Sequence, residues 1–311
     1  MQNIAKKIIV DIKDICIPLY KILIPFVFIV KILEISGVIQ FIAKTLEPLM
    51  SIIGLTPELG LVFVTAFIIN IYAALVLFVN LLPGLEVNVA QITILTTMIL
   101  IAHNLPIECT ICKAAGVSII YTATLRLISA FILGFILKLI YFNFEILTDP
   151  FTTFFTVQPP PEGFWLWLID QALTLFYIFI IVCVMTTVLE ILRQAGIEKI
   201  VEKIFMPPLR IFGIQKEAMN IIIVGMTIGI QFGGGMLIKE VKTGKIDKQS
   251  VFLSVSMLNL LHALIEDTIL MALVGGHISG ILFARVIFSI LLSYLIFIIY
   301  KKYFNSKLNT Q

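Results

Sequence analysis

Long apolar runs recur along the whole chain and are separated by short polar stretches. Six of them reach or exceed the roughly 18 residues that a helix needs to cross a bilayer. They lie at about residues 15–36, 91–115, 118–141, 164–192, 250–274 and 279–300. Alternating strands of about ten residues, which are typical of outer-membrane barrels, are missing from the pattern. The pattern therefore predicts an all-α integral membrane protein.

Composition supports this prediction. Of the 311 residues, 60% are hydrophobic and 13% are charged, whereas about a quarter of the residues in a soluble domain are charged. The net charge of +3 gives no reason to expect a nucleic-acid partner. The N-terminal segment lacks a small-residue cleavage site, so we expect a retained first helix with a cytoplasmic lead-in.

The chain also contains an internal repeat. When the sequence is aligned with itself at one fixed offset of 159 residues, without a gap, His103 aligns with His262 and Glu108 aligns with Asp267. Two of the three histidines in the chain are therefore matched. This repeat shift also aligns several glycines, prolines and basic residues: Gly37 with Gly196, Lys44 with Lys203, Pro48 with Pro207, Gly54 with Gly213 and Arg126 with Arg285. We therefore predict a first repeat at residues 1–142, an extracytoplasmic linker at 143–163 and a second repeat at 164–311.

One shorter apolar segment remains in each half, at 59–82 and 218–238. Lysine and arginine are concentrated on the cytoplasmic side of membrane proteins. Both flanks of the second segment, 193–217 and 239–249, are rich in these residues, so we expect the segment to enter and leave by one face. The equivalent flanks in the first half are poor in positive charge. The alternative is that both segments are full spans, with four crossings per half.

Each repeat is thus predicted to contain three transmembrane helices, one re-entrant helical hairpin and a short interfacial helix, at 37–52 or 196–211. An odd number of crossings inverts the second half. Two tandem inverted-topology repeats, with broken helices that meet near the bilayer midplane, are typical of secondary transporters. We expect a multi-pass protein of the plasma membrane with cytoplasmic termini.

Ionisable residues within the spans are the first candidates for function, because each costs roughly 2.5–3.5 kcal/mol on insertion scales. Span 91–115 contains His103, Asn104 and Glu108. Pro106 removes a backbone donor and should unwind the chain around His103.

Span 250–274 contains His262, Glu266 and Asp267 but no proline. His262 and Glu266 are four residues apart, so we expect them to share one helical face. Glu266 has no acidic counterpart in the first half. We therefore expect it to take up and release a proton during coupling, because burial favours the neutral form of a carboxyl.

Arg126 and Arg285 follow the two glycines, Gly116 and Gly275, at equal spacing. Across a tight turn they should reach the depth of Glu108 and Asp267. The structural interpretation is that two intramembrane ion pairs join the helices. Removing one member of such a pair would leave a buried charge without a partner, which is the costly case.

Polar and glycine residues at the hairpin centres are candidates for contact with a substrate, because the ends of broken helices expose backbone groups and helix dipoles. They are Asn70, Gln231, Gly233, Gly234 and Gly235. The alternative for Asn70 and Gln231 is hydrogen bonding to neighbouring helices.

Cys109 and Cys112 form a single CxxC pattern, and with His103 and Met271 they make only a weak soft-metal motif. We therefore predict no metal and no cofactor. Hydrolase and nucleotide-binding motifs do not occur, so the chain is not expected to be an enzyme.

The repeated arrangement has three parts: an interfacial Gly/Pro segment, a hairpin with Gly or Asn, and a helix with an HNLPIE or HALIED core. Over about residues 20–300 it resembles the nucleoside-recognition or Gate-domain membrane proteins. That superfamily includes the spore maturation membrane proteins, the Gate segments of ferrous-iron transporters and parts of concentrative nucleoside transporters. The resemblance implies a transporter-like core and a nucleoside or similar polar substrate.

Two functions from different classes follow. The first is a secondary transporter of a small polar or anionic solute, coupled to protons or a cation, with the residues named above at a midplane site. The second is a non-transporting membrane scaffold or envelope factor whose buried charges are structural, and a metal-ion transporter ranks lower. The expected partners are the lipid bilayer and a small-molecule or ion substrate, and a homo-oligomer is left open.

Overall fold

The protein is helical throughout the parts of the chain that the computed structural model describes, residues 2–152 and 163–308. Most of the predicted linker, 153–162, lies outside the described residues. The helices of the first half are α1 (Gln2–Ile35), α2 (Val38–Ile52), α3 (Pro57–Ile68), α4 (Ile71–Leu81), α5 (Val89–Ile101), α6 (Leu105–Ala114) and α7 (Ile119–Asn143). Those of the second half are α8 (Phe164–Gln194), α9 (Ile197–Ile211), α10 (Lys216–Ile228), α11 (Ile230–Lys242), α12 (Lys248–Leu261), α13 (Glu266–Leu273) and α14 (Arg285–Leu308).

Six helical segments are long and apolar enough to cross a membrane, and a seventh is added if α2 and α3, which are bent by 98°, count as one span. The six lie at Lys6–Ile35, Val89–Ala114, Ile119–Asn143, Phe164–Gln194, Lys248–Leu273 and Ser279–Lys302. This confirms the helical class and the six long spans that the sequence predicts. The chain is a multi-pass membrane protein.

Two of the spans form the centre of the molecule. The α5–α6 span is 83% buried and the α12–α13 span is 72% buried within the protein, whereas the α1 and α14 spans are each 22% buried. These outer helices therefore expose apolar side chains such as Ile32 and Leu291, as lipid-facing helices do. Polar residues on α5, α6, α12 and α13 are shielded by the rest of the chain.

Helices in the two halves begin at equivalent positions. The repeat shift pairs the starts at Val38 and Ile197, Pro57 and Lys216, Ile71 and Ile230, and Val89 and Lys248. Local signals differ between the halves. Thr56 caps α3 through its side chain, with Pro57 in the first turn, whereas Gln215 before α10 makes no side-chain cap. Corresponding boundaries thus arise from different local sequences.

Short breaks separate α3 from α4 and α10 from α11. Asn70 is extended and its side chain accepts a hydrogen bond from the Ala73 N–H at 2.8 Å. Gly229 has φ 108°, a left-handed conformation that glycine adopts without strain. Helices α10 and α11 then pack through Gly225 and Gly233, because a Cβ on Gly233 would lie 2.5 Å from the Gly225 Cα. That these pairs re-enter the membrane stays a prediction.

Candidate functional site

The site is built on interruptions in the two central spans. In the first half, α5 ends at Ile101 and α6 begins at Leu105. Asn104 adopts φ 50°, and its N–H donates to the Ala66 carbonyl oxygen of α3 at 2.9 Å. A backbone donor freed by the break is thus satisfied inside the protein, as a membrane interior requires.

The second half contains the equivalent interruption although it lacks a proline. Helix α12 ends at Leu261, and Ala263 adopts φ 45°. The Ala263 N–H donates to the Gly225 carbonyl oxygen at 3.2 Å, and the Leu264 N–H donates to the Met226 carbonyl oxygen at 2.6 Å. The C-terminal turn of α10 therefore supplies the partners that hold the break open.

This interruption corrects one prediction. His262 and Glu266 do not share a helical face, because the chain leaves the helix at His262, whose ψ is 163°, and re-enters it at Glu266. Glu266 is partly exposed and interacts by charge with Arg193. Its carboxylate lies outside the group of ligand atoms formed by His103, His262 and Asp267.

The two histidines meet at the centre of the molecule. Their Nε2 atoms lie 3.2 Å apart and their rings are 5.0 Å apart between centroids, although 159 residues separate them. Each ring is oriented in the same way: Nδ1 of His103 is 2.8 Å from the Ile99 carbonyl oxygen, and Nδ1 of His262 is 2.8 Å from the Leu258 carbonyl oxygen. Both side chains are buried.

Carboxylates from α6 and α13 surround the histidine pair. His103 Nε2 lies 3.5 Å from Glu108 Oε1 and 3.5 Å from Asp267 Oδ2, and His262 Nε2 lies 3.4 Å from Glu108 Oε2. One nitrogen or oxygen atom from each of His103, His262 and Asp267 lies within 4.8 Å of the others. Glu108 and Asp267 are buried like the histidines. We call His103, His262, Glu108 and Asp267 the central cluster.

Two fully buried arginines bind the broken backbone next to the central cluster. Arg126 donates from Nε to the Ile101 carbonyl oxygen at 2.7 Å and from Nη2 to the His103 carbonyl oxygen at 2.9 Å. Arg285 donates from Nε to the Leu260 carbonyl oxygen at 3.4 Å and from Nη2 to the His262 carbonyl oxygen at 2.7 Å. The repeat shift relates each partner of one arginine to a partner of the other. The guanidinium groups satisfy carbonyls that the helix breaks expose.

The arginines differ in their third contact. Arg126 Nη1 forms an ion pair with Glu108 Oε2. The expected ion pair between Asp267 and Arg285 is not formed, because no carboxylate within the described chain lies within 4.0 Å of Arg285. Arg285 Nη1 and Asp267 Oδ2 are buried and have no hydrogen-bond partner among the described atoms. The two halves therefore share their backbone geometry but differ in ion pairing.

Several predicted residues are not among the four that form the central cluster. Asn70 caps α4. The backbone of Gln231 lies in the first turn of α11; its side chain is not among those that the structure describes. Gly233 and Gly234 are packing positions, against Gly225 and Ile111 respectively, and a Cβ on Gly235 would meet open space.

Asn259 is a further polar residue next to the site that the sequence analysis did not single out. It is fully buried on α12, and its Nδ2 donates to the Val255 carbonyl oxygen at 2.7 Å and to the Cys112 Sγ at 3.2 Å. Asn104 Oδ1 and Asn259 Oδ1 are buried without a hydrogen-bond partner among the described atoms. The sequence does contain a signal for this residue, because it is an asparagine within an apolar span, three residues before His262.

Comparison with known proteins agrees with the membrane assignment. The chain is 25% identical over 288 residues to the uncharacterized membrane protein YvoD of Bacillus subtilis (strain 168), in an alignment that covers 91% of this chain and 90% of the relative. No protein-family model and no solved structure matches the chain. The similarity spans both halves and includes the central cluster in its range.

Proposed function

We propose that the protein is a secondary transporter of a small polar or anionic solute, and not an enzyme, whose transport is coupled to a cation bound in the central cluster. The two halves would be inverted-topology repeats in the plasma membrane, with both termini in the cytoplasm. Alternating access would arise as one half moves against the other about the cluster.

The observation that carries this proposal is the contact between His103 and His262 at equivalent breaks in the two most buried spans. A break in a membrane helix is destabilising, because it exposes backbone groups to a low-dielectric interior. A purely structural scaffold has no use for such a break. Ionisable residues in such a position typically mark substrate or ion pathways. Residues from both halves contribute to the central cluster, so movement between the halves would change its geometry.

The cavities found beside the central cluster in the described part of the chain are small. Two small apolar cavities of about 10 Å³ each lie near the cluster, one lined by residues that include Val62, Ile99 and Met271 and the other by residues that include Ile111 and Cys112. Each has room for about one water molecule, whereas small-molecule sites measure about 300–1,000 Å³. Neither of these two cavities would hold a nucleoside-like solute, which the family resemblance implies.

The second candidate function is a non-transporting membrane scaffold. It is favoured by the near-complete burial of the central cluster and by the Glu108–Arg126 ion pair. A scaffold would remain closed under all conditions, and this difference makes the two candidates separable without knowledge of the solute.

Cys112 provides the test, because it is buried between the halves and its Sγ accepts a hydrogen bond from Asn259 Nδ2. In a variant with Cys16, Cys109 and Cys183 replaced by alanine, a membrane-impermeant thiol reagent is applied to right-side-out and inside-out vesicles under opposing ion gradients. We expect Cys112 to react from both faces, at rates that the gradients change in opposite directions.

The matched control is a cysteine at the exposed Lys113, the next residue on α6, in the same background without Cys112. It should react from one face at a rate that the gradients leave unchanged. A Cys112 that stays unreactive in folded protein under every condition, while the Lys113 position is labelled, would reject the transporter and support the scaffold.

A further inference from the structure

We infer that His103, His262 and Asp267 bind one divalent transition-metal ion between the two halves, with Glu108 as the neighbouring fourth ligand. This inference rests on the proposed function in that the metal would be the cation to which transport is coupled. Neither cysteine of the CxxC pattern belongs to the group of ligand atoms that lie within 4.8 Å of one another.

The hydrogen bonds of the histidines determine which nitrogen faces the cluster. A carbonyl oxygen only accepts hydrogen bonds, so the Nδ1 atoms that contact Ile99 and Leu258 must carry the hydrogens. Neutral His103 and His262 then direct bare Nε2 lone pairs towards each other. Metal-binding histidines are commonly fixed in this way, by donation from the other ring nitrogen to a backbone carbonyl.

With both histidines neutral and Asp267 ionised, His103 Nε2, His262 Nε2 and Asp267 Oδ2 are acceptors with no donor between them, whereas Glu108 accepts from Arg126. His103 Nε2 and His262 Nε2 lie 3.2 Å apart, and Asp267 Oδ2 and both Glu108 oxygens lie 3.4–3.5 Å from a histidine nitrogen. Lone pairs that face one another at these distances repel unless a proton or a metal cation lies between them. The arrangement calls for a positive ion at its centre.

The spacings match the dimensions of a metal site. Zinc bonds to histidine nitrogen and carboxylate oxygen are about 2.0–2.2 Å long, so neighbouring ligand atoms at a tetrahedral ion are about 3.3–3.6 Å apart. The measured separations around His103 Nε2 are 3.2 Å to His262 and 3.5 Å to Asp267. These two separations agree with a tetrahedral ion, and the ligand atoms of all three residues lie within 4.8 Å of one another.

Asp267 gives an independent indication of a ligand. Its residue is 9% exposed and its Oδ2 has no hydrogen-bond partner among the described atoms, yet this oxygen points at His103 Nε2. Burial of a carboxylate oxygen without a partner is costly. Arg285, the basic residue expected to satisfy it, binds the Leu260 and His262 carbonyls instead. Coordination of a metal would satisfy this oxygen.

Chemistry and charge select the class of ion. Imidazole nitrogen together with carboxylate oxygen suits zinc, ferrous iron and similar divalent ions, whereas magnesium prefers six oxygen ligands. Because Glu108 is paired with Arg126, the uncompensated negative charge on the ligands is that of Asp267. The carboxylates of Asp267 and Glu266 are available to offset the two charges of a divalent ion, while the buried Arg285 adds a further positive charge beside the cluster.

Purified protein stripped with a chelator is titrated with Zn²⁺, Co²⁺ and Mg²⁺. We expect about one Zn²⁺ or Co²⁺ per chain, a rise in melting temperature with Zn²⁺ because the ion binds the folded state, and visible Co²⁺ absorption of the intense tetrahedral type. Mg²⁺ should produce neither effect. Binding of all three ions with equal weakness would overturn the inference.

Variants of the ligands separate metal binding from folding. Asp267→Asn and His262→Gln should each weaken Zn²⁺ binding by more than the roughly 10–100-fold that loss of an outer-shell partner costs. The matched control is His277→Ala, which removes the exposed loop histidine and should leave binding unchanged. Unchanged binding in folded Asp267→Asn and His262→Gln would reject the site.

The two proposals fail in different ways. If Zn²⁺ binds as expected but Cys112 never becomes reactive, the metal site stands as a structural site and the transporter is rejected. If Cys112 reacts from alternating faces but folded wild-type protein binds neither Zn²⁺ nor Co²⁺, the transporter stands and the metal site is rejected.

Discussion

Arg126 and Arg285 occupy equivalent positions and bind equivalent carbonyls, but only Arg126 has a carboxylate partner. Arg126 pairs with Glu108, whereas Arg285 binds the Leu260 and His262 carbonyls, and no carboxylate of the described residues lies within 4.0 Å of it. The consequence is an asymmetry within a repeated frame. One half stabilises its break with an ion pair, and the other leaves a carboxylate directed at the histidines.

This asymmetry predicts that the two carboxylates differ in their effect on stability. Glu108→Gln strands the Arg126 charge and should lower the free energy of unfolding by roughly 3–5 kcal/mol, the usual cost of breaking a buried pair. Asp267→Asn removes a buried charge without an ion-pair partner, and in chelator-treated protein it should be neutral or stabilising. Thermal melting of both variants in the same detergent decides this. An equal loss in the two would show that Asp267 pairs with Arg285 in the membrane protein.

The close approach of Gly225 and Gly233 predicts that alanine is tolerated differently at Gly233 and Gly235. A Cβ on Gly233 would lie 2.5 Å from the Gly225 Cα, which is backbone and cannot rotate away. Gly233→Ala should therefore cost about 1–3 kcal/mol, as overpacking usually does. Gly235→Ala meets open space and should be neutral or stabilise the helix by up to about 1 kcal/mol. Melting temperatures of the two variants test the packing, and equal shifts would contradict it.

The helix break in the second half forms without a proline. We therefore predict that Pro106 does not cause the helix break in the first half. Ile265 is the residue at the equivalent position, and the chain breaks there through bonds to the Gly225 and Met226 carbonyls. Pro106→Ala should therefore preserve the Asn104-to-Ala66 bond and shift the melting temperature less than Glu108→Gln does. Its Co²⁺ absorption should match that of the wild type. Loss of the Co²⁺ spectrum in a folded Pro106→Ala variant would show that proline determines the geometry.

The inverted arrangement predicts opposite exposure of two equivalent pairs. In a variant without native cysteines, a cysteine at Glu58 or Glu86 should react with an impermeant reagent outside intact cells. The repeat shift pairs these positions with Glu217 and Lys245, where a cysteine should react only after the membrane is opened. If Glu58 and Glu86 label from opposite faces, the segment between them crosses the bilayer and the repeats do not have the proposed topology.

The amino-acid sequence by itself determined the class of the protein and the identity of its central residues. Six long apolar runs require a membrane interior, because a water-soluble surface cannot be built from them, and the six helices of the structure confirm them. The repeat shift paired His103 with His262 and Arg126 with Arg285 from spacing alone. Periodicity and composition are local properties, so they can be read along the chain.

Only the tertiary structure decided how those residues meet. The break after Leu261 has no proline to announce it, because its backbone donors are satisfied by carbonyls of α10, an earlier helix of the same half. The Nε2 contact between His103 and His262, and the preference of Arg285 for carbonyls over Asp267, likewise depend on side-chain directions set by packing between the halves. Spacing along a chain fixes neither a rotamer nor the partner that a buried donor selects among several acceptors within reach.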